Sequence, residues 1–163
     1  MTNTGEDEGR VGHILAQRTI PSVVRPPKGR LEVRLPYDPS NRGWLCTGHR
    51  SRGDVTWIKG DGDKYWSAPA TWFFELARRL VRRFGSTYLI QRHNELEKCA
   101  PACWNAKGLA CECSCMGERH GSGDPDGRWY VVSETFAFHW AGGHYRATLL
   151  TAKPDKDLVR VQI

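Results

Sequence analysis

Five of the six cysteines lie between residues 99 and 115, within KCAPACWNAKGLACECSCMGERHG, which runs from Lys98 to Gly121. Thiolates and imidazoles are ligands for zinc and other soft or borderline ions, so the spacing decides what this stretch can hold. Cys99 and Cys103 are four apart and share one side of a helical turn, which suits two ligands of a single ion. Pro101 is tolerated in that turn only near its start. Cys111, Cys113 and Cys115 alternate. On an extended strand they line one face with neighbours ~7 Å apart, so the backbone must curl for all three to reach one centre. Gly117 and Gly121 give the chain that freedom around His120. A tetrahedral zinc takes four ligands, and six are on offer: Cys99, Cys103, Cys111, Cys113, Cys115 and His120. The leading set is Cys99, Cys103, Cys113 and Cys115, with Cys111 or His120 as replacements. A two-zinc cluster with a bridging thiolate uses all six, and a [4Fe–4S] cluster is the alternative cofactor. With every position filled by protein the site is structural, and metal binding becomes folding free energy. Cys46, far off in sequence, reads as a small buried hydrophobe.

The pattern Cys99, Cys103, Trp104, Ala106, Gly108, Cys111, Cys113, Cys115, Gly117, His120, Gly121 resembles a family of proteins of unassigned activity in actinobacteria, their phages and mobile elements. The likeness spans roughly Arg30 to Leu150, through "YWSAP" and "RWYVVSETF". It lends no catalytic residue. A shorter stretch, residues 30–85, with "LPYD", a Trp-bearing hairpin ending "YWSAP" and then a helix, is similar to the HARP module of annealing helicases. That resemblance implies DNA binding. A helicase motor is not implied, since the chain has no GxxxxGK[ST].

A second candidate site is electrostatic. Arg78, Arg79, Arg82 and Arg83 fall on the outer face of an expected helix, with Lys59 and Lys64 on the hairpin before it. Together they offer a phosphate-contacting stripe for DNA or RNA; the bland reading is a solvated helix face. The formal net charge of +6 agrees with a polyanionic partner. The seven tryptophans are core anchors or stacking surfaces for bases. Catalysis finds little support. "HNELE" at 93–97 lacks the HExxH spacing, and no PCxxC follows it as a deaminase requires. A protein–protein adaptor or inhibitor presenting a zinc knuckle is the alternative function, and an Fe–S redox sensor or small enzyme the next.

These residues need elements to position them. Residues 1–29 read as a flexible tail and a proline-rich linker, "PSVVRPPKG", with "VGHILAQRTI" (11–20) between them open to a short helix or a strand. Residues 30–92 read as a ββα-type subdomain. Leu31, Val33, Leu35 and Tyr37 alternate on one strand face, and Trp44–Cys46 starts another short strand. "DVTWIK" and "KYWSAP" flank a glycine turn. Trp72, Phe73, Leu76, Leu80 and Phe84 recur at helical spacing, with Ser67 as cap, Pro69 in the first turn and Gly85 as terminator. "STYLIQ" is a strand. Residues 93–127 form the cysteine-rich segment, and residues 128–163 a C-terminal β-hairpin completing the same domain around "AGG". The expected fold is α+β: antiparallel strands packed on one principal helix, with an inserted metal knuckle.

At 163 residues the chain suits one domain. No apolar run approaches the ~18 residues of a membrane span, so a membrane partner is not expected. The polar start MTNTGEDEGR lacks the apolar core of a signal peptide. The expected compartment is the reducing cytoplasm, where clustered cysteines bind metal rather than form disulfides.

Overall fold

The computed structural model describes residues 4–47, 54–93, 130–140 and 142–153. Its centre is set by two short runs of consecutive branched residues. Val23 and Val24 of β1 (Ser22–Arg25), like Leu89 and Ile90 of β5 (Ser86–Arg92), are all buried although neighbours in a strand point to opposite faces. Both faces of the sheet are therefore covered. β1 pairs parallel with β5, Val23 opposite Leu89, and antiparallel with β2 (Leu31–Arg34), Val23 opposite Val33. Beyond β2 lies the hairpin of β3 (Thr56–Lys59) and β4 (Lys64–Ala68); beyond β5 lies that of β6 (Tyr130–Trp140) and β7 (Gly143–Ala152). The seven strands run in the order β3-β4-β2-β1-β5-β7-β6.

One face packs on α3 (Phe73–Phe84), the last of three α-helices among the described residues, whose Phe73, Leu76, Ala77, Leu80 and Val81 meet Val23, Leu31, Val33, Leu89 and Leu150. The other packs on α1 (Thr4–Ala16), whose Val11 and Ile14 meet Val24, Ile90, Phe138, Tyr145 and Ala147. Burying each such side chain is worth about 1.5–3 kcal/mol, and the strands shared by both layers tie them together. The third helix, α2 (Asn41–Cys46), is a short turn between β2 and β3.

The α+β class holds, while the arrangement differs from the expected one. The sheet is mixed through its β1–β5 pair, and helices cover two faces rather than one. The expected tail and linker are α1 and a central strand. α1 has Glu6 and Asp7 in its first turn and His13 in its last, complementing the helix dipole. Gln17 closes it by donating to the carbonyls of Ile14 and Ile20 and accepting from the N–H groups of Thr19 and Ile20. The expected strand at Trp44–Cys46 is α2. Ser67 does not cap α3; it lies in β4 and its Oγ accepts from Arg30 Nε at 2.7 Å. A 3-10 turn, Ala70–Trp72, follows Pro69 and leads into α3. The two hairpins and the strand after α3 lie where the alternation places them. The cysteine-rich segment between β5 and β6 lies outside the described residues.

Gly85 ends α3 at φ 83, with its N–H on the Val81 carbonyl at 2.9 Å. A Cβ built there meets no heavy atom within 4 Å, so the demand for glycine is conformational and not steric. Gly85→Ala should therefore lower stability by about 1–2 kcal/mol, read as a shift of the urea midpoint at unchanged slope.

Candidate nucleic-acid interface

Trp57 and Trp66 face each other across β3 and β4, with ring centroids 4.8 Å apart. Register puts Trp66 opposite Val33, on the α3 face of the sheet. Trp66 rests half-buried against that core, whereas Trp57, at the sheet edge, stays 39% exposed. Leu35 continues the same face past the end of β2 and is buried. Pro36 ends the strand pairing, so Tyr37, expected on the strand face with Leu31, Val33 and Leu35, lies beyond β2 and stands out at 92% exposure. With Arg18, Asp38, Pro39, Asn41, Arg42 and Lys64, these residues line a cleft of about 630 Å³. That is the size range of a small-ligand site.

The cleft is basic at its rim. Arg42 and Lys64 are exposed, Lys64 lies opposite Lys59, and Arg18 reaches over to donate from Nη2 to the Lys64 carbonyl at 2.7 Å. Partial burial lowers the Arg18 pKa from its ordinary value; repulsion from Arg34 adds to this and Asp63 opposes it. Arg18 retains its charge, since arginine titrates far above neutrality.

The wall carrying Asp38 and Asn41 is built by local hydrogen bonds. Asp38 Oδ1 accepts from the Ser40 N–H at 2.7 Å and from Ser40 Oγ, forming an Asx-type turn into α2. The Ser40 hydroxyl, then the Ser40 N–H, hold the Asp38 carboxyl below its ordinary 3.8; Arg83 adds a smaller pull the same way. A carboxylate with a depressed folded pKa stabilises the fold above its unfolded pKa and loses that contribution as pH falls through the folded value. Asp38→Asn should therefore flatten the acid limb of melting temperature against pH below about pH 4, and an unchanged limb would exclude Asp38 as its source. Asn41 is 5% exposed, and its Nδ2 donates to the Pro36 carbonyl at 2.9 Å. A carbonyl only accepts, so this bond fixes the amide's orientation. It leaves Oδ1 buried with no donor among the described residues.

The arginines of α3 divide into two rows. Arg78, Arg82 and Arg83 are exposed and Arg79 is half-buried. Arg79 and Arg83 turn onto Trp44 of α2, their guanidinium carbons 4.4 and 4.7 Å from its ring centroid. Arg79 also donates to the carbonyls of Trp44 and Leu45, satisfying the C-terminal end of α2. Burial lowers its pKa from the ordinary value. Arg83 faces Asp38 at 3.8 Å and lies over Phe84. The expected four-arginine stripe is thus half a helix–helix clamp. Lys59 and Lys64, placed beside that stripe by the sequence, sit on the hairpin that carries Trp57. Arg18, Tyr37, Asn41 and Arg42 were not anticipated. Only Tyr37 left a signal: an aromatic between Pro36 and Asp38-Pro39, where a strand must stop.

Cys46 is buried in the α3-face core. Cys99, Cys103, Cys111, Cys113, Cys115 and His120 lie outside the described residues. Among the described residues no group of three His, Cys, Asp or Glu side chains is arranged to hold a metal ion, and no helix is long and apolar enough to cross a membrane. Comparisons with protein-family models, curated proteins and solved structures found no match to this chain.

Proposed function

We propose that the protein is a metal-stabilised nucleic-acid-binding accessory protein of the actinobacterial or phage mobile-element type. Its interface would be the cleft between Tyr37 and Trp57. One observation carries this reading: two exposed rings stand among Arg18, Arg42, Lys59 and Lys64. Aromatic faces stack on unpaired bases while cations track the phosphates, the combination used for single strands. Paired bases hide their faces in a duplex, so the exposed rings favour a single-stranded or unpaired segment. Zinc is the metal proposed for Cys99, Cys103, Cys113 and Cys115, with Cys111 and His120 as alternates. The support for it is the density of ligands in a short stretch. Its contribution would be to the folding of that stretch.

A fluorescently labelled single strand and its duplex, titrated at about 50 and about 200 mM salt, test the interface. The single strand should bind more tightly, weaken steeply with salt and quench tryptophan emission. Trp57→Ala should weaken binding by about tenfold, in the range of one lost base stack. Arg78→Gln with Arg82→Gln removes charge and leaves the Trp44 clamp in place, so it measures the helix's share of phosphate contact. No binding at low salt, or a Trp57→Ala variant with unchanged affinity, overturns the reading. Elemental analysis of the purified chain tests the metal: zinc is expected, and iron with a brown colour displaces it.

A further inference from the structure

The hairpin of β6 and β7 carries a feature independent of the cleft. Its closing pair is Trp140 opposite Gly143, with Gly142 at φ 75 in the turn, and the next pair along is His139 opposite His144. In antiparallel strands hydrogen-bonded and non-hydrogen-bonded pairs alternate, and side chains of the latter approach more closely. The His144 carbonyl points away from β6, accepting at 2.9 Å the N–H of His93, the residue after β5, which marks His139–His144 as such a close pair. The two imidazole centroids lie 4.3 Å apart at an interplanar angle of 67°. Both residues are exposed.

We propose that His139 and His144 form a two-imidazole chelate for a borderline divalent transition ion, zinc or nickel, distinct from the cysteine site. Two imidazoles bound at about 2.1 Å to one ion hold their centroids about 4.5–5 Å apart, so small side-chain rotations from 4.3 Å suffice. Short-range order is already present, because both side chains project from a paired sheet and little entropy is lost on binding. Arg146, next along the same face, is 1% exposed while both imidazoles reach water. The exposed pair is open to an ion arriving from solvent. With two protein ligands the remaining positions belong to water, so the site is open and exchangeable, unlike a closed structural centre. Imidazole with few other ligands suits zinc, nickel and copper over calcium or magnesium.

The test uses the full chain as purified, with its endogenous metal in place, titrated calorimetrically with Ni²⁺. One added equivalent is expected. The ion's paramagnetism should broaden amide resonances of residues 138–145 first. His139→Gln with His144→Gln should abolish that equivalent, and either single change should weaken it at least about tenfold. Far-ultraviolet dichroism of the metal-free double variant should match the parent, showing that the hairpin persists. Cys99→Ser with Cys103→Ser should leave the added equivalent intact, which separates this site from the proposed zinc segment. A double histidine variant that takes up Ni²⁺ as the parent does, or broadening centred elsewhere, overturns the proposal.

Discussion

Leu80→Ala and Ile90→Ala should each destabilise the protein by about 2–5 kcal/mol, and each should do so in a single cooperative transition. Both residues are 0% exposed, yet they belong to different layers: Leu80 to the α3 face, Ile90 to the α1 face. Truncation leaves a cavity that neighbouring side chains refill only in part, so the loss exceeds the simple transfer term. The sharper claim concerns cooperativity. Val23 and Val24 place β1 in both layers, and Leu89 and Ile90 do the same for β5. A loss on one face is therefore felt by strands that the other face needs. Among the described tryptophans, Trp44, Trp66 and Trp72 pack on the α3 side and Trp140 on the α1 side, so fluorescence weights the α3 layer, while far-ultraviolet dichroism reports both. Coincident midpoints by the two probes are expected in both variants. If Ile90→Ala released α1 in a separate early step while the fluorescence midpoint stayed in place, the single-unit reading would be wrong.

The elements legible in the sequence were those whose signal is local and repeated. Leu76, Leu80 and Phe84 recur every four residues opposite an arginine row, and Gly85 follows at once; α3 needs no tertiary help to be read. The hairpins were legible because Gly62 and Gly142 adopt positive φ between alternating runs. β1 was not legible. Its four residues sit between Pro21 and Pro26-Pro27, so composition argues for a linker. What makes them a strand is pairing with β2 and with β5, the latter some sixty positions away, a signal no local window contains. α1 was hidden for a related reason. Val11, Ile14 and Leu15 are its main apolar residues in a polar stretch, too few to fix a period, and they become a stripe only against Ile90 and Tyr145.

The candidate cleft divides the same way. Its cations on β3 and β4 were visible because a hairpin displays them. Arg18 was not, since it comes from the loop after α1 and meets Lys64 only through tertiary folding. The contacts of Arg79 and Arg83 with α2 were not legible, for a physical reason. An arginine on a helix surface is also a planar group that stacks on indole and donates to orphan carbonyls. Trp44, placed in a helix rather than a strand, supplied both.

Asp63→Ala should cost on the order of 3 kcal/mol, more than Arg34→Met, although Asp63 is the more exposed partner. Arg34 is 2% exposed, and its Nε and Nη2 donate to the two Asp63 oxygens at 3.2 and 2.6 Å. Glu32 takes a further bond from Nη2 at 3.3 Å, and the guanidinium lies 5.1 Å from the Tyr65 ring centroid. Removing Asp63 leaves a buried cation with Glu32 as its one carboxylate, bonded through a single 3.3 Å contact, and exposes it to Arg18, whose charge Asp63 now offsets. Removing Arg34 leaves an aspartate 51% exposed, which water solvates, and methionine fills the space with apolar volume. The asymmetry is the test, measured as the difference between the two urea midpoints; equal losses would place the stabilisation in packing and not in charge. Asp63 also sits in the turn between β3 and β4, where its carbonyl accepts the Gly60 N–H at 2.7 Å. The ion pair therefore anchors the hairpin bearing Trp57 to the middle of the sheet. Loosening it should weaken single-strand binding although Asp63 does not line the cleft. Asp63→Asn, which keeps one hydrogen-bond acceptor, should recover part of both losses.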